Sequence, residues 1–534
     1  MCGINGIYSK KLSEPEFKKK IQLMNNLIKH RGPDSDGFYY RDNFCLGATR
    51  LSILDLSNEN NQPYIDESEN FVIVFNGEIY NFLEIRNELK EQNILFKTSG
   101  DTEVLLKSYV HWGIEKLLSK VEGMYAFAIY DKFKNSIICA RDHLGQKPLF
   151  YFKDENNFLF SSEFKPLIQS EMITKNLNYE NVARYLQYES FVQDETIISS
   201  VKKLLPGNYL LFDFDNNSLK IKTYWKNDLY KYSNIKKIKN SNEISEIVLN
   251  EINDSVNKQL RSDVPIGIYC GDGLDSTLVS HLALKKSRNI EAFNLVLNQK
   301  SFDEKKYIKS NFQGKMNLNF FQPDEKSILK IILNIIDNLD EPISNFGFVA
   351  QSLISKFAKD QNYKVVLTGN GGDELFLGYE PHKKFNLFKL INKSIIMQSS
   401  LKLFSRFLKQ DFTYMSFSSK LKIFVKSLGF DDDIANSRWV AANLPEEIES
   451  FLLSKTLSEN KLNYKIFVDF ILKIKKNNKD FSGLEKLILE YQNIYLPDTI
   501  LKHTDKSNMH HSIEARSPMI SHILFDKVNS IEID

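Results

Sequence analysis

Residues 265–286, PIGIYCGDGLDSTLVSHLALKK, read as an apolar strand, a glycine turn and a helix. A strand that runs into such a turn aims backbone N–H groups and a helix N-terminus at one point, which suits phosphate. The turn alone is a weak sign, because an ordinary strand–helix connection looks the same. The pattern returns at residues 363–379, YKVVLTGNGGDELFLGY, where a second apolar strand ends in a second glycine turn. A helix is predicted before the first strand (243–262). A strand (EAFNLVL, 291–297) and a helix near 325–339 follow it. Alternating elements with apolar strands predict a parallel sheet with helices on both faces.

The residues before this region have another character. FVIVFNGEIYNF (71–82), YAFAIYDKFKNSIICARD (125–142) and LFYFKDENNFLFSSE (149–163) are strand-rich runs bounded by turn residues. FLEIRNELKEQ (82–92) and TEVLLKSYVHWGIEKLLSKV (102–121) carry apolar residues at helical spacing. An α+β domain is predicted over 1–210, a polar linker over 211–245 centred on KNDLYKYSNIKKIKNSNEIS (226–245), and an α/β domain over 246–534. Within the last, residues 381–495 have a helical period and form an all-helical extension. Its basic run KIKKNNKD (473–480) reads as a solvated face.

The chain has 534 residues, enough for two to four domains. Lys plus Arg is 70 and Asp plus Glu is 68, a balance of +2 that argues against a nucleic-acid binder. With 42% hydrophobic and 26% charged residues it is ordinary globular material. No apolar run is long enough to span a membrane, and the first residues hold no apolar signal segment, so a cytoplasmic protein is expected. Cys2, Cys45, Cys139 and Cys270 form no CxxC pair or zinc set, and reduced thiols are expected.

Cys2 stands apart. Removal of Met1 would place its thiol and a free α-amine on one carbon. Their ordinary pKa values are about 8.5 and about 7.7–8.0, so the amine can serve as the thiol's base. By itself this position could be chance. It is accompanied by His30-Arg31-Gly32-Pro33-Asp34, by Arg50 opening RLSILDL, by Asn76-Gly77-Glu78 after a strand, and by Ser99-Gly100-Asp101 before a helix. An amide substrate needs a nucleophile, oxyanion donors and partners for its own charges. Asn76 and the Gly77 N–H suit the oxyanion. Arg50 suits an α-carboxylate, and Glu78 with Asp101 an α-ammonium.

CGI at the start, HRGPDSDG, RLSILDL, FNGEIYN, SGDTE, GMYAFAIYD and ARDHLGQKPLFY together resemble the class II glutamine amidotransferase domain of asparagine synthetases. That resemblance implies an N-terminal nucleophile domain, an αββα sandwich. It implies Cys2, Asn76 and Gly77 as catalytic residues. It implies glutamine held by Arg50, Leu51, Ser52, Ile53, Asn76, Gly77, Glu78 and Asp101. Ala48 stands where relatives often have His.

The second half resembles the synthetase domain of the same family, through the 271–276 turn, Asp340-Glu341-Pro342, the 365–379 turn and YLPDTILKHTDKSNMHHSIEARSP (495–518). This implies an adenine-nucleotide α-hydrolase-like fold with a helical extension, and formation of β-aspartyl-AMP that ammonia then attacks. ATP would be held by Cys270, Gly271, Asp272, Gly273, Asp275, Ser276, Leu295, Thr368 and Gly369. Asp340, Glu341, Asn370, Asp373, Glu374, Lys502 and Asp505 would line the synthetase site, with Asp275 and Asp373 as Mg2+ ligands. The partners implied are glutamine, aspartate or another carboxylate acceptor, ATP and, in assembly, a second copy as a homodimer.

The chain departs from the family loop, Ser-Gly-Gly-x-Asp-Ser, by Gly271 and Asp272. A carboxylate thus stands where pyrophosphate should lie, and two unit charges about 4 Å apart repel by ~4 kcal/mol at an effective dielectric of 20. Asn370 replaces a frequent acidic residue, and His503, beside Lys502, a lysine that some members use. Relatives usually run further than Asp534, so a C-terminally short synthetase half is expected. Three readings follow: an asparagine synthase using glutamine, a relative amidating another carboxylate such as a sugar uronic acid, or a chain with an impaired ATP site acting as glutaminase or scaffold. The first is preferred. It predicts that Cys2→Ala abolishes use of glutamine and spares synthesis driven by ammonia, and glutaminase activity surviving in that variant would remove Cys2 from its role.

Overall fold

The computed structural model describes residues 2–227, 229, 241–287, 289–296, 304–343, 346–408, 417–431, 434–435, 438–439, 441–443, 448 and 482–531. The expected basic run at 473–480, most of the polar stretch at 226–245 and the last residues to Asp534 lie outside the described residues.

The first strands in chain order are β1 (Cys2–Ser9), β2 (Ser35–Arg41), β3 (Phe44–Arg50), β4 (Tyr64–Ile65), β5 (Phe71–Ile79) and β6 (Gly123–Asp131). β7 (Ser136–Arg141), β8 (Phe150–Lys153), β9 (Asn157–Ser161), β10 (Val201–Lys203), β11 (Asn208–Asp213) and β12 (Ser218–Thr223) follow. They form two six-stranded sheets, ordered β10-β8-β9-β1-β3-β2 and β12-β11-β7-β6-β5-β4. The sheets pack face to face through Ile4, Leu46, Phe158 and Phe160 on one side and Val72, Val74, Ala128 and Phe212 on the other. The opposite face of β5 presents Ile73 and Phe75 to Phe82, Leu89 and Leu105 of the helices Phe82–Glu91 and Asp101–Lys120. Both faces of β5 are therefore buried, which is why FVIVF is continuously apolar and not alternating. The helix Glu14–Leu27 covers the first sheet, its start fixed by Ser13, whose N–H donates to Glu16 Oε2 at 2.8 Å. The layers are αββα, as the family resemblance implies.

The linker expected over 211–245 is corrected at its start. β11 continues to Asp213 and pairs along its length with β12, so residues 211–223 belong to the second sheet. β12 is an edge strand with one polar, exposed side, and its sequence SLKIKT shows no apolar run.

Downstream come β13 (Ile266–Tyr269), β14 (Glu291–Leu295), β15 (Asn317–Phe321), β16 (Val365–Leu367) and β17 (Glu514–Arg516). All pair in parallel in the order β15-β14-β13-β16-β17. The chain builds outward from β13 on one side and then returns to place β16 on the other. The strand order thus reverses between β13 and β16, and the carboxyl ends of those two strands flank the crevice where such sheets take ligands. The expected glycine turns are the ones that leave these two ends.

Contacts group the chain into two units: Met1–Asn176 with Ile198–Gly371 and Ile500–Asp534, and Leu177–Ile197 with Gly372–Thr499. The first holds both sandwich sheets and the parallel sheet. The second is helical, with Tyr179–Tyr188, Glu380–Asn392, Ile395–Phe407 and Gly483–Glu490. The expected 1–210 domain is corrected here too, because Leu177–Ile197 groups with the helical extension. Among the described residues no helix is long and apolar enough to cross a membrane.

Candidate active site

β1 begins at Cys2, whose register partner on β3 is Arg50. β5 brings Asn76, from the facing sheet, to the same place. The Cys2 N–H donates to Asn76 Oδ1 at 3.2 Å, while Asn76 Nδ2 is buried and has no hydrogen-bond partner among the described residues. A buried amide donor without an acceptor is costly and calls for one from a ligand. With Asn76 bonded to the Cys2 backbone, that amide could serve the oxygen of a tetrahedral intermediate formed on Cys2. Gly77 follows, and a Cβ there would meet Met124 O at 2.1 Å, so only glycine fits against β6. Burial raises the Cys2 thiol above its ordinary value, opposed by the terminal ammonium, the Leu51 N–H and Arg50.

Gln62 was missed by the sequence reading. Its Nε2 donates to Cys2 Sγ at 3.6 Å and its Oε1 accepts the Phe75 N–H at 2.6 Å. It lies in a loop, NQPY, that carries no motif.

Arg50 reaches the site with its fork already engaged. Nη1 donates to Ser57 O at 2.9 Å and Asn61 Oδ1 at 2.8 Å, and Nη2 donates to Leu54 O and Asp55 O. It thereby fixes the turn after Leu51, Ser52 and Ile53, and a substrate carboxylate would have to take over some of these contacts. Ser52 N–H is itself held by Asp34 Oδ2 at 2.8 Å.

Glu78 and Asp101 are brought together with Glu514 and Arg516. Burial holds Glu78 well above the usual carboxyl range, and Glu514 and Asp101 add to this by repulsion. Burial lifts Asp101 to about 6, against the Ile79 N–H that it accepts at 2.9 Å. Glu514 is buried as well, yet the terminal ammonium, Arg516 and Lys147 hold its carboxyl below the ordinary value. Arg516 Nε donates to Glu514 Oε1 at 2.6 Å. Two carboxyls that resist ionisation are relieved by a cation between them, which the α-ammonium of glutamine can supply.

The second constellation lies at the parallel-sheet crevice. Cys270 follows β13, buried and with its thiol pushed up to about 11 by that burial. The helix Leu274–Lys286 starts after Gly273, which is its N-cap. Ser276 Oγ instead accepts the Gly271 N–H at 3.3 Å and donates to Gly273 O at 3.1 Å. Gly369, after β16, presses on this turn: a Cβ there would stand 2.5 Å from Ser276 N. Thr368 Oγ1 bonds Ser517 Oγ at 2.9 Å, and Asn370 Nδ2 donates to Thr504 Oγ1 at 2.8 Å. Leu295 ends β14 on the same edge. Lys502 pairs with buried Glu341 at 3.0 Å, while His503 turns its ring to Phe348. Asp373 and Glu374 begin the helix Gly372–Phe376 of the second unit, where Glu374 accepts the Tyr379 hydroxyl at 2.5 Å.

Asp340 and Asp505 do not join the nucleotide turn. Asp505 is held by Arg31 at 2.9 and 3.0 Å and by Lys147 at 3.2 Å. Asp340 accepts the Phe164 N–H at 2.8 Å and pairs with Lys506. Arg31 also donates to Glu163 at 2.9 Å and, through Nε, to Cys2 O at 3.3 Å. Both aspartates therefore face the αββα sandwich. Among the described residues no three His, Cys, Asp or Glu side chains converge as a metal set. A Mg2+ bound chiefly by nucleotide phosphates needs only one or two carboxylates, and Asp275, in the first turn of the helix Leu274–Lys286, could serve as one.

The family model of a glutamine amidotransferase domain matches residues 1–225, and that of asparagine synthase matches residues 248–534. Asparagine synthetase [glutamine-hydrolyzing] 1 of Bacillus subtilis (strain 168) is 30% identical over 99% of this chain and 81% of its own length. Putative asparagine synthetase [glutamine-hydrolyzing] 2 of Methanocaldococcus jannaschii is 34% identical over 72% of this chain and 76% of its own. A protein of Gibberella zeae named amidase chry2 is 26% identical over 96% and 78% respectively.

Replacing Asn76 by Ala is expected to lower glutamine turnover by roughly 10²–10³, the effect of one oxyanion donor. An unchanged steady-state rate would remove it from that role. Asp101, lifted to about 6, loses its charge as pH falls through that value. KM for glutamine should therefore rise about tenfold from pH 7 to pH 5, and Asp101→Asn should abolish that limb while raising KM throughout. A flat KM in the parent protein would contradict the ammonium subsite.

Proposed function

This chain belongs to the glutamine-hydrolysing asparagine synthetase family, and from that premise we propose that it makes asparagine from aspartate, with glutamine as nitrogen donor and ATP as activator. The Cys2 thiol gives its proton to the α-amine exposed by loss of Met1 as the sulfur attacks the side-chain carbonyl of glutamine, and the resulting ammonium returns that proton to the departing nitrogen. Asn76 Nδ2 and the Gly77 N–H take the oxyanion. Collapse expels ammonia and leaves a γ-glutamyl thioester, which water hydrolyses to glutamate. Asn76 orients both partners, since its carbonyl oxygen holds the Cys2 N–H and its nitrogen is left for the oxyanion. That pairing is the observation on which the glutaminase reading rests.

At the crevice, the turn Gly271–Ser276 and the helix behind it would hold the phosphates of ATP, with Asp275 as a carboxylate for Mg2+. When bound, that ion supplies charge neutralisation to the departing pyrophosphate. The aspartate side-chain carboxylate attacks the α-phosphate, pyrophosphate leaves, and ammonia from the first site displaces AMP. A cytoplasmic setting and a homodimer belong to the same proposal.

An acceptor other than aspartate is the second reading. It is favoured by the modest identity to the relatives, 26–34%, one of which is named an amidase. Glutamine labelled with nitrogen-15 in its amide separates the two. With ATP and Mg2+, mass spectrometry should find the label in asparagine when aspartate is supplied and not in the amide of a supplied uronic acid. Label in the uronamide alone would replace the first reading by the second.

A further inference from the structure

The pyrophosphate turn already holds an anion of the chain's own. Glu304, the residue before the helix Lys305–Phe312, extends its carboxylate to the turn, and Oε2 accepts the Asp272 N–H at 3.0 Å. That N–H belongs to the backbone that a strand–turn–helix phosphate cradle offers to its ligand. A Cβ on Gly271 would lie 3.0 Å from the same Oε2, so a side chain there would press on the carboxylate. Glycine at 271 leaves the space that Glu304 fills. The unusual glycine and the misplaced Asp272 are thus parts of one arrangement with a third residue that has no motif of its own.

We propose that Glu304 acts as an internal anion seated on the turn, so that nucleotide phosphates bind there only by displacing it, and that Glu304 and Asp272 together set the affinity for the polyphosphate part of ATP. This rests on the reading of the crevice as an ATP site. Burial pushes the Glu304 carboxyl above its ordinary value and the facing Asp272 carboxyl adds to this, while the Asp272 N–H opposes it. Asp272 itself is exposed on the turn, and its charge adds to the repulsion that an incoming pyrophosphate meets.

Calorimetric titration of the full chain with inorganic pyrophosphate and, separately, adenosine tests this. The variants are Glu304→Gln, which removes the charge and keeps the shape, Glu304→Ala, which clears the cradle, and Asp272→Gly. Retained glutamine hydrolysis at Cys2 reports that each variant is folded, since none of these residues belongs to that machinery. The expected result is pyrophosphate bound about tenfold or more tightly in all three, with adenosine unchanged. Pyrophosphate affinity unchanged or weakened while adenosine still binds would overturn the proposal and leave the ATP site standing. A parallel change in adenosine affinity would also overturn it, because that marks a general distortion. No uptake of either ligand by any form would overturn both the proposal and the ATP reading.

Discussion

A guanidinium with no exposure to water has to be paired, since an uncompensated buried charge costs several kcal/mol. Arg31 is such a group, and its partners come from three separate parts of the chain. It takes the carbonyl of Cys2 at the head of β1, Glu163 just beyond β9, and Asp505 in the helix Lys502–Met509, from its own place in the turn before β2. The strand bearing the proposed nucleophile is thereby tied to a segment almost five hundred residues away in sequence. Lys147 adds a second cation on Asp505, and Lys506 answers Asp340. Smaller contacts run along the same boundary. Lys364 pairs with Asp34 at 2.7 Å, Arg261 with Glu84 at 2.7 Å, and Asp263 accepts the Asp55 N–H at 2.7 Å. This is why the sandwich and the parallel sheet group as one unit although their folds are unrelated.

The parallel sheet was legible in the sequence because it rests on local pattern, whereas the αββα layer order followed from the family resemblance. Continuous apolar runs mark strands buried on both faces, and Gly-rich turns mark where strands pass into helices. What was hidden is non-local. SLKIKT is a strand because β11 offers it an edge, not because of its own composition. Leu177–Ile197 joins the helical unit through contacts such as Ser190 to Asp498, more than three hundred residues on. Asp505 carries a synthetase motif, but its geometry is decided by Arg31 and Lys147. Gln62 and Glu304 have no neighbours in sequence that announce them, and only the folded chain places one at a thiol and the other at a phosphate turn.

The two candidate sites pose opposite electrostatic problems. At the first, Glu78 and Asp101 are crowded and resist ionisation, a state that an arriving ammonium relieves. At the second, a polyphosphate bound as proposed would have to settle where Asp272 and Glu304 already stand. On the proposed reading the first would be arranged in advance for its substrate, and the second against an easy one. In a family whose glutaminase serves its synthetase, the second site decides what the whole chain achieves.

Pyrophosphate release by the purified chain measures that directly. ATP, Mg2+ and aspartate are supplied with ammonium in one tube and glutamine in another. The account predicts aspartate-dependent release in both, accompanied in the second by formation of glutamate. Glutamine hydrolysed to glutamate, with no aspartate-dependent pyrophosphate from either nitrogen source, would contradict it.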